Sequence, residues 1–424
     1  QAEDGIRDVE RSRGLGDVYK RQLLMVGVSL NRFVLPHKNE LVKIPLDTSL
    51  FYIPNSRPLG FNPNTNKIEI LEEFEGREVF AASAAPLPAY LRTLCAAGIA
   101  LDKRILPFLA YTACGFYGGN FYIAAKRVDK RQRQSPRFYN NKVIAKKVRD
   151  FYKKHTSNRL YQHLSNCALN YNCLAAKNLF LNRWEAPVPV SRFCNAKCIG
   201  CISYQASSCI APHERINFKP KVSEIIEVMV SHLKTAKEAI ASFGQGCEGE
   251  PLLEADLIAE AIYKARQNVC RGTINMNTNA SMPEKIKLLC QAGMDSFRVS
   301  LNSPSKKFYD NYFKPVRYKF SDVLKSIEIM KKYKKFVSIN LFIFPGFSDS
   351  EQEVKSLIKF IDKTGIDMIQ WRNLNIDTNY FLARTPHKNL RPQGVLSLIE
   401  VIKKRFPKLK HGYFNLPKEQ FWPV

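Results

Sequence analysis

Three cysteines lie close together in the segment "CNAKCIGC", where Cys194, Cys198 and Cys201 have the spacing C-x3-C-x2-C. Thiolates at such spacing bind zinc or iron. A closed zinc site needs a fourth ligand, which Cys209 or His213 could supply. A four-iron cluster held by three thiolates would instead leave one iron open to a small ligand, as a catalytic metal requires. The spacing alone therefore leaves open a non-catalytic zinc-binding module and a metalloenzyme.

The sequence predicts six strand–helix units, which begin at residue 186 and end with a last helix over 393–405. Their apolar strands read "APVPVS", "AIASFG", "GTINMNT", "SFRVSLN", "VSINLFIF" and "DMIQWRNLN". The cysteine segment follows the first predicted strand. Alternating strands and helices predict an α/β fold with a parallel sheet and right-handed crossovers. Six units fit a doubly wound sheet or a partial barrel, and periodicity does not separate the two.

Each predicted strand ends in a polar or glycine-rich cluster. In chain order these clusters are "CNAKCIGC", "GQGCEGE", "NTN", "SLNS", "PGFSD" and "RNLN". In barrels, the loops that follow the strands converge on one face and build the active site. Packing does not explain six polar strand ends, so we expect them to share one functional site.

The cysteine segment resembles the signature of the radical SAM superfamily, and the resemblance covers residues 186–380. It implies a partial (β/α)6 barrel and a [4Fe-4S] cluster held by Cys194, Cys198 and Cys201. It further implies that S-adenosylmethionine (S-adenosyl-L-methionine) chelates the fourth iron and is cleaved to a 5′-deoxyadenosyl radical, with electrons from an external donor such as flavodoxin or ferredoxin. The segment also resembles an uncharacterised bacterial subgroup, which implies no substrate.

The resemblance extends to the other strand ends. "CEGEP" is similar to the family's Gly-Gly-Glu-Pro motif, which binds the methionine amino group, and Gly249 and Glu250 fit its last two positions before the proline. A carboxylate suits an ammonium group, and a glycine lets the backbone approach the ligand. The cofactor contacts that the resemblance implies are Gly246, Glu248, Gly249, Glu250, Asn277, Thr278, Asn279, Ser300, Asn302, Asn340, Arg372 and Asn373.

Two positions depart from the family pattern. The family usually has an aromatic residue just before the third cysteine, where this chain has Gly200. Glu248 replaces the first glycine of the Gly-Gly-Glu-Pro motif. Because Gly200 has no aromatic ring, one packing contact to the adenine must come from elsewhere in the chain.

The remaining segments have different compositions. Residues 1–22 resemble a translated sequencing adapter and are excluded from the fold prediction. Short strands and turns predict a small β-rich N-terminal domain. The predicted divisions are 1–22, the β-rich domain 23–125, a basic helical bridge 126–185, the core barrel 186–380, and a C-terminal helix and tail 381–424.

The chain is strongly basic, with a formal net charge of +27 over 424 residues. Residues 126–159 alone carry thirteen Lys or Arg and two Asp, with Tyr139, Phe151 and Tyr152 interleaved. Such a segment is either a solvated helical face or a nucleic-acid surface, since basic side chains release counterions from phosphates and aromatic rings stack on bases. A nucleic-acid-modifying radical SAM enzyme is therefore an alternative prediction.

Eleven cysteines with uneven spacing do not form a secreted disulfide framework and favour a reducing cytoplasm. Cys167, Cys173, Cys209 and Cys247 could hold an auxiliary cluster or be unlinked thiols. No stretch is long and apolar enough to cross a bilayer, so we expect a cytoplasmic protein without a membrane partner.

Overall fold

A computed structural model describes residues 23–46, 48–131, 133–204 and 211–422. Residues 1–22 and Cys209 thus lie outside the described part of the chain. The chain divides into two compact units. The first comprises the described residues up to Val128 with Ile343–Lys355 and Asn373–Pro407, and the second Asp129–Phe342, Ser356–Arg372 and the residues from Lys408 onward.

The N-terminal region of the first unit is β-rich, as the sequence predicted. Its strands are β1 Leu24–Met25, β2 Gly27–Ser29, β3 Arg32–Val34, β4 Leu41–Lys43, β5 Ser49–Tyr52, β6 Ser56–Asn62, β7 Lys67–Ile70, β8 Glu73–Phe74, β9 Arg77–Glu78, β10 Ala82–Ala85, β11 Tyr90–Arg92, β12 Cys95–Ala96, β13 Gly98–Ala100, β14 Cys114–Tyr117 and β15 Asn120–Arg127. They pair antiparallel in small sheets. Strands β14 and β15 form a hairpin, and Gly118 and Gly119 form its turn with φ of 53° and 77°, which glycine adopts without strain.

Eleven α-helices lie in the described residues. They are α1 Asn141–Lys154, α2 Arg159–Leu169, α3 Leu174–Phe180, α4 Val222–Thr235, α5 Ala255–Asn268, α6 Pro283–Ala292, α7 Lys306–Phe313, α8 Phe320–Lys332, α9 Glu351–Thr364, α10 Thr378–Arg384 and α11 Val395–Arg405. The first three occupy the predicted basic helical bridge. The predicted division at 381 does not coincide with an edge of either compact unit, and the domain boundaries remain predictions.

The core is a curled parallel sheet of seven strands, which confirms the partial barrel. The strands are β16 Arg183–Pro187, β17 Lys237–Phe243, β18 Thr273–Thr278, β19 Ser296–Leu301, β20 Phe336–Ile343, β21 Met368–Asn373 and β22 Lys410–Gly412. They lie side by side in chain order. The sequence predicted only six, because the three residues of β22 carry no apolar alternation that would reveal a strand.

Side chains alternate between two faces of this sheet. Apolar residues such as Ile274, Phe297 and Trp371 are fully buried on one set of positions. Successive side chains of a strand point to opposite faces, so the remaining positions form a second set. This second set is polar although most of it is buried. Its members include Ser242, Asn275, Asn277, Ser296, Arg298, Ser338, Gln370 and the partly exposed Asn340, Ser300 and Arg372. This polar set, here called the polar face, contains several of the predicted cofactor contacts.

Side chains cap some of these helices and not others. Ser281 and Glu284 have capping-box spacing, yet α6 begins at Pro283 without a side-chain cap. The Ser281 hydroxyl instead accepts a hydrogen bond from Asn195 Nδ2 at 2.9 Å. Ser350 caps α9, since Ser350 Oγ accepts from Glu353 N at 3.4 Å.

No helix in the described part of the chain is long and apolar enough to span a membrane.

Candidate cofactor and cluster site

The cysteine loop follows β16 and is fixed by the segment that ends α7. Lys197 N donates to Phe313 O at 2.9 Å, and Ile199 N donates to Tyr312 O at 3.0 Å. Val316 N closes the contact by donating to the Asn195 carbonyl at 2.9 Å. Backbone hydrogen bonds on both sides of Cys198 therefore tie the loop to the end of α7.

The thiols of this loop are electrostatically unfavourable as bare thiolates. Burial raises the pKa of Cys194 to about 12. Burial, followed by the negative charges of Cys201 and Cys194, raises the pKa of Cys198 well above its ordinary value. Thiolates that repel one another in a partly buried site need a cationic partner. The loop thus has the electrostatic character of a metal-binding site.

The three thiols do not cluster tightly enough for one mononuclear ion. Among the described residues, they do not form a group whose ligand atoms all lie within 4.8 Å of one another, and His213 does not complete such a group with them. In a four-iron cluster each thiolate binds a different iron, so wider spacing is expected. Cys209, the other proposed zinc ligand, lies outside the described residues.

Arg215 is a site residue that the sequence did not reveal. Its Nη2 lies 3.7 Å from Cys201 Sγ and donates to Ser203 Oγ at 3.0 Å. The guanidinium thus lies beside the sulfur of the third cysteine of the loop. Nothing in its sequence surroundings signals this role, because the chain must fold back from residue 215 to bring the side chain to the loop.

Tyr312 occupies the space beside Gly200. A Cβ added at Gly200 would lie 2.7 Å from the Tyr312 hydroxyl and 3.4 Å from its ring. The Tyr312 side chain is buried and close enough to Cys198 and Cys201 for their charges to raise its pKa, although burial is the larger cause. The radical SAM resemblance puts an aromatic residue at position 200, where this chain has glycine. The Tyr312 ring of α7 lies beside that position.

The loop after β17 packs directly on the start of the cysteine loop. Gly249 N donates to Ser191 O at 2.7 Å, and Glu250 N donates to Phe193 O at 2.8 Å. A Cβ at Gly249 would lie 1.9 Å from the Phe193 carbonyl oxygen, so only glycine fits. Gly246 is less tightly confined, because a Cβ there would lie 2.8 Å from the His213 ring, which is a side chain.

Glu250 joins three strand-end segments. Its Oε1 accepts from Thr278 Oγ1 at 2.5 Å and from Leu252 N at 3.1 Å, and its Oε2 accepts from Asn279 N at 2.8 Å. Asn279 Nδ2 in turn donates to Asn195 Oδ1 at 2.7 Å, inside the cysteine loop. Burial raises the pKa of Glu250 to about 7, although these hydrogen bonds oppose the shift. Four lone-pair sites on a carboxylate leave room for one further donor.

The Glu248 carboxylate connects the segments that follow β16 and β17. It accepts from the backbone N–H groups of Val190 and Ser191 at 2.8 and 3.1 Å, and from Gly244 N. Burial raises its pKa to about 8. All of these partners are backbone groups of the β16 and β17 ends, so the side chain ties the two strand ends together. A direct contact of Glu248 with a cofactor stays a prediction.

Four of the predicted cofactor contacts carry buried polar atoms that lack a hydrogen-bond partner within the described residues. They are Asn277 Nδ2, Asn302 Oδ1, Asn340 Oδ1 and Arg372 Nε. A buried polar atom without a partner costs roughly 1–3 kcal/mol of stability. Asn277 and Arg372 lie near the ends of β18 and β21, Asn302 directly follows β19, and Asn340 lies within β20. Unpartnered polar atoms on four neighbouring strands fit a site that a polar ligand completes. The residues present therefore suit S-adenosylmethionine, the cofactor that the radical SAM resemblance implies.

Two guanidinium groups give the polar face a positive character. Arg298 Nη1 donates to Gln370 Oε1 at 3.1 Å, while the Arg372 guanidinium stacks 3.7 Å from the centre of the Tyr413 ring. Burial, followed by the nearby charge of Arg372, lowers the pKa of Arg298 to about 9. Such a pair favours an anionic group, such as a carboxylate, on whatever binds beside it.

The two other predicted contacts differ in their surroundings. Ser300 lies on the polar face and is partly exposed. The side chain of Asn373, in the first compact unit, accepts from Arg92 N at 2.8 Å and donates to Tyr90 O at 2.9 Å. Its amide is thus bonded to β11, and a cofactor role for Asn373 stays a prediction.

One segment of the chain matches a known family. Residues 188–361 match the Radical SAM superfamily model, and they include all three cysteines of the loop and most of the polar strand ends. This segment is a radical SAM domain. Members of this superfamily are enzymes that bind S-adenosylmethionine and an iron–sulfur cluster.

Its relatives are distant. An uncharacterised protein of Methanocaldococcus jannaschii is 26% identical over 225 residues, which is 50% of this chain and 77% of the relative. The GTP 3′,8-cyclase of Thermodesulfovibrio yellowstonii is 27% identical over 191 residues, 42% of this chain and 56% of the cyclase. Among solved structures, methylornithine synthase is 14% identical, with a TM-score of 0.38 over 63% of this chain and 76% of that one.

Proposed function

We propose that this radical SAM enzyme binds a [4Fe-4S] cluster through Cys194, Cys198 and Cys201 and uses it to cleave S-adenosylmethionine reductively. When bound and reduced, the cluster supplies the electron for that cleavage, which yields a 5′-deoxyadenosyl radical that acts on a substrate not yet identified. The observation that carries the proposal is the set of unpartnered buried atoms on β18, β20 and β21 and just after β19. A closed zinc module would give those atoms no ligand to complete them.

Different residues of this chain bind different parts of the cofactor and the cluster. Glu250 offers a carboxylate to the ammonium group of the cofactor, and Gly249 allows the backbone to approach it. Tyr312 supplies an aromatic surface near the cysteine loop in place of the residue missing at Gly200. Arg215 offsets the negative charge of Cys201. We place Gly246, Asn277, Thr278, Asn279, Ser300, Asn302, Asn340 and Arg372 around the rest of the cofactor.

The test is spectroscopic. After anaerobic reconstitution, the protein is expected to absorb broadly near 400 nm, which zinc does not. Adding S-adenosylmethionine to the reduced protein is expected to change the electron paramagnetic resonance signal, because the cofactor occupies an open iron. Slow release of 5′-deoxyadenosine without added substrate should accompany the change. A cluster signal that the cofactor leaves untouched would show that no iron is open and would overturn the proposal.

A nucleic-acid substrate is the second candidate, and one surface favours it. Helix α1 buries Ile144 and Val148 and leaves Tyr152 exposed. Its exposed basic side chains are Lys142, Lys146, Arg149, Lys153 and Lys154. A basic helix face with an exposed aromatic ring suits a single-stranded nucleic acid. Arg133 does not belong to this surface, because it is buried and bonds Asn415 O and Glu238 at 2.9 and 3.0 Å.

Neutralising this helix face is expected to weaken RNA retention. Replacement of Lys142, Lys146, Arg149 and Lys153 with Ala should lower the salt slope of binding by about 3, since each lost phosphate contact removes roughly 0.7 from it. Affinity is measured by filter retention across a salt series. A matched control replaces four exposed lysines of other helices, Lys264, Lys325, Lys359 and Lys404. If the unchanged protein shows no salt-dependent RNA retention, the face is only solvated and the second candidate fails.

A further inference from the structure

A second group of metal-binding side chains lies apart from the cysteine loop. The ligand atoms of His163, Cys167 and Cys247 all lie within 4.8 Å of one another. His163 Nε2 is 3.6 Å from Cys167 Sγ. All three residues belong to the second compact unit. No step of the proposed cofactor chemistry uses them.

The group comes from two distant parts of the chain. His163 and Cys167 are four residues apart on α2, so their side chains lie on the same helix face. Cys247 reaches them from the loop after β17, where its carbonyl accepts from Ile216 N at 2.8 Å. Cys167 and Cys247 are each only 2% exposed, and His163 is half-buried.

The separation of the His163 and Cys167 ligand atoms matches a single tetrahedral ion. Zinc–sulfur and zinc–nitrogen bonds of about 2.3 and 2.0 Å place neighbouring ligand atoms roughly 3.5–3.8 Å apart. The observed separation of 3.6 Å lies in that range. A four-iron cluster would bind each ligand to a different iron and hold the sulfurs further apart. The geometry therefore favours a mononuclear centre over the auxiliary cluster considered from the sequence.

Other roles for the group fit less well. A nucleophilic cysteine needs access to a substrate, which 2% exposure does not give to Cys167 or Cys247. Buried cysteines often act as small apolar residues, but here a histidine ring nitrogen faces the sulfur of one of them. Two thiolates and an imidazole are ligands that zinc prefers.

We propose that His163, Cys167 and Cys247 bind one zinc ion that links α2 to the loop carrying Glu248 and Glu250. Zinc needs only three protein ligands when water takes the fourth position. Because Cys247 directly precedes Glu248, the ion fixes the backbone from which both carboxylates extend. The ion is separate from the [4Fe-4S] cluster, so the proposal does not rest on the proposed function.

The experiment measures metal content in a protein that cannot hold the cluster. The full chain with Cys194, Cys198 and Cys201 all replaced by Ala is purified from zinc-supplemented medium and analysed by inductively coupled plasma mass spectrometry. About one zinc per chain is expected. Exchange of the zinc for Co²⁺ should give the charge-transfer absorption of cobalt–thiolate bonds.

Further substitutions on that background assign the ligands. His163→Ala and Cys247→Ser should each reduce bound zinc at least tenfold, whereas His163→Cys, which restores a ligand, should retain it. Cys290→Ser is the matched control, because Cys290 is a buried thiol on α6 outside the group. Circular dichroism melts establish that each variant is folded.

Two outcomes would overturn the proposal. One is a folded starting protein that retains neither zinc nor Co²⁺ while its thiols titrate as free. The other is a pair of thiols that become titratable only after reduction, which would show a Cys167–Cys247 disulfide in place of a metal site.

Discussion

Replacement of Cys198 with Ala is expected to remove the iron–sulfur cluster and, with it, all release of 5′-deoxyadenosine. Cys198 lies at the centre of the loop that α7 fixes through the backbone on both sides. A cluster left with two protein thiolates is poorly held, so the iron content should fall to near zero. Cys194→Ala and Cys201→Ala should behave alike. Iron and acid-labile sulfide assays on the reconstituted proteins measure the loss.

Two controls separate loss of the cluster from general damage. Cys270→Ala removes an exposed thiol and should keep the full iron content. Cys209→Ala should also keep it, because the proposed fourth ligand is the cofactor and not a protein thiol. If Cys209→Ala strips the metal, and the cofactor leaves the spectrum of the unchanged protein untouched, the site is a closed zinc site and the enzyme proposal is wrong.

Replacement of Glu250 with Gln is expected to weaken binding of S-adenosylmethionine roughly 10- to 100-fold while iron content stays near that of the unchanged protein. A charge-assisted hydrogen bond contributes about 1.5–3 kcal/mol, and each 1.4 kcal/mol is a factor of ten in affinity. Glu250 is not an iron ligand in this arrangement, so the cluster should still assemble. Isothermal titration of the reconstituted protein with the cofactor measures the change.

The same substitution should also lower the free energy of unfolding by about 1–3 kcal/mol. Both oxygens of Glu250 accept hydrogen bonds, and a glutamine must turn its NH₂ group toward one of those donors. Glu254→Gln is the matched control, since Glu254 is four residues away and pairs with Lys219 at 2.6 Å. Unchanged cofactor affinity in Glu250→Gln would contradict the assignment of Glu250 to the ammonium group.

Two arginines of the basic segment are bonded within the folded chain. The charge of residues 126–159 made Arg131 and Arg133 look equivalent to the lysines of α1. In the folded chain Arg131 Nη2 donates to Gln420 Oε1 at 2.8 Å and Arg133 is buried against Asn415. Substituting either would disturb packing as well as charge, because a buried guanidinium holds its partners in place. Only the exposed positions of α1 test nucleic-acid binding cleanly.

The local sequence determined the elements of the core and the place of its site. Alternation of apolar strands with amphipathic helices depends on residues near in sequence, so it predicted strands β17–β21. The first strand was predicted too late, because "APVPVS" covers residues 186–191 and β16 is Arg183–Pro187. Glycine stops such as Gly293, which has φ of 107° after α6, are local for the same reason. The polar strand ends and the cysteine spacing indicated one shared face, because parallel strands must end on the same side of a sheet.

Only the tertiary structure decided which side chains meet across long sequence separations. Tyr312 takes the space beside Gly200, and Arg215 reaches Cys201, although neither position carries a sequence signal for these roles. Cys247 converges with α2 from about eighty residues further along the chain. Such contacts follow from how helices pack on the sheet and how loops return to it. Packing is a property of the whole fold and has no local period, which is why these meetings could not be read from residue spacing alone.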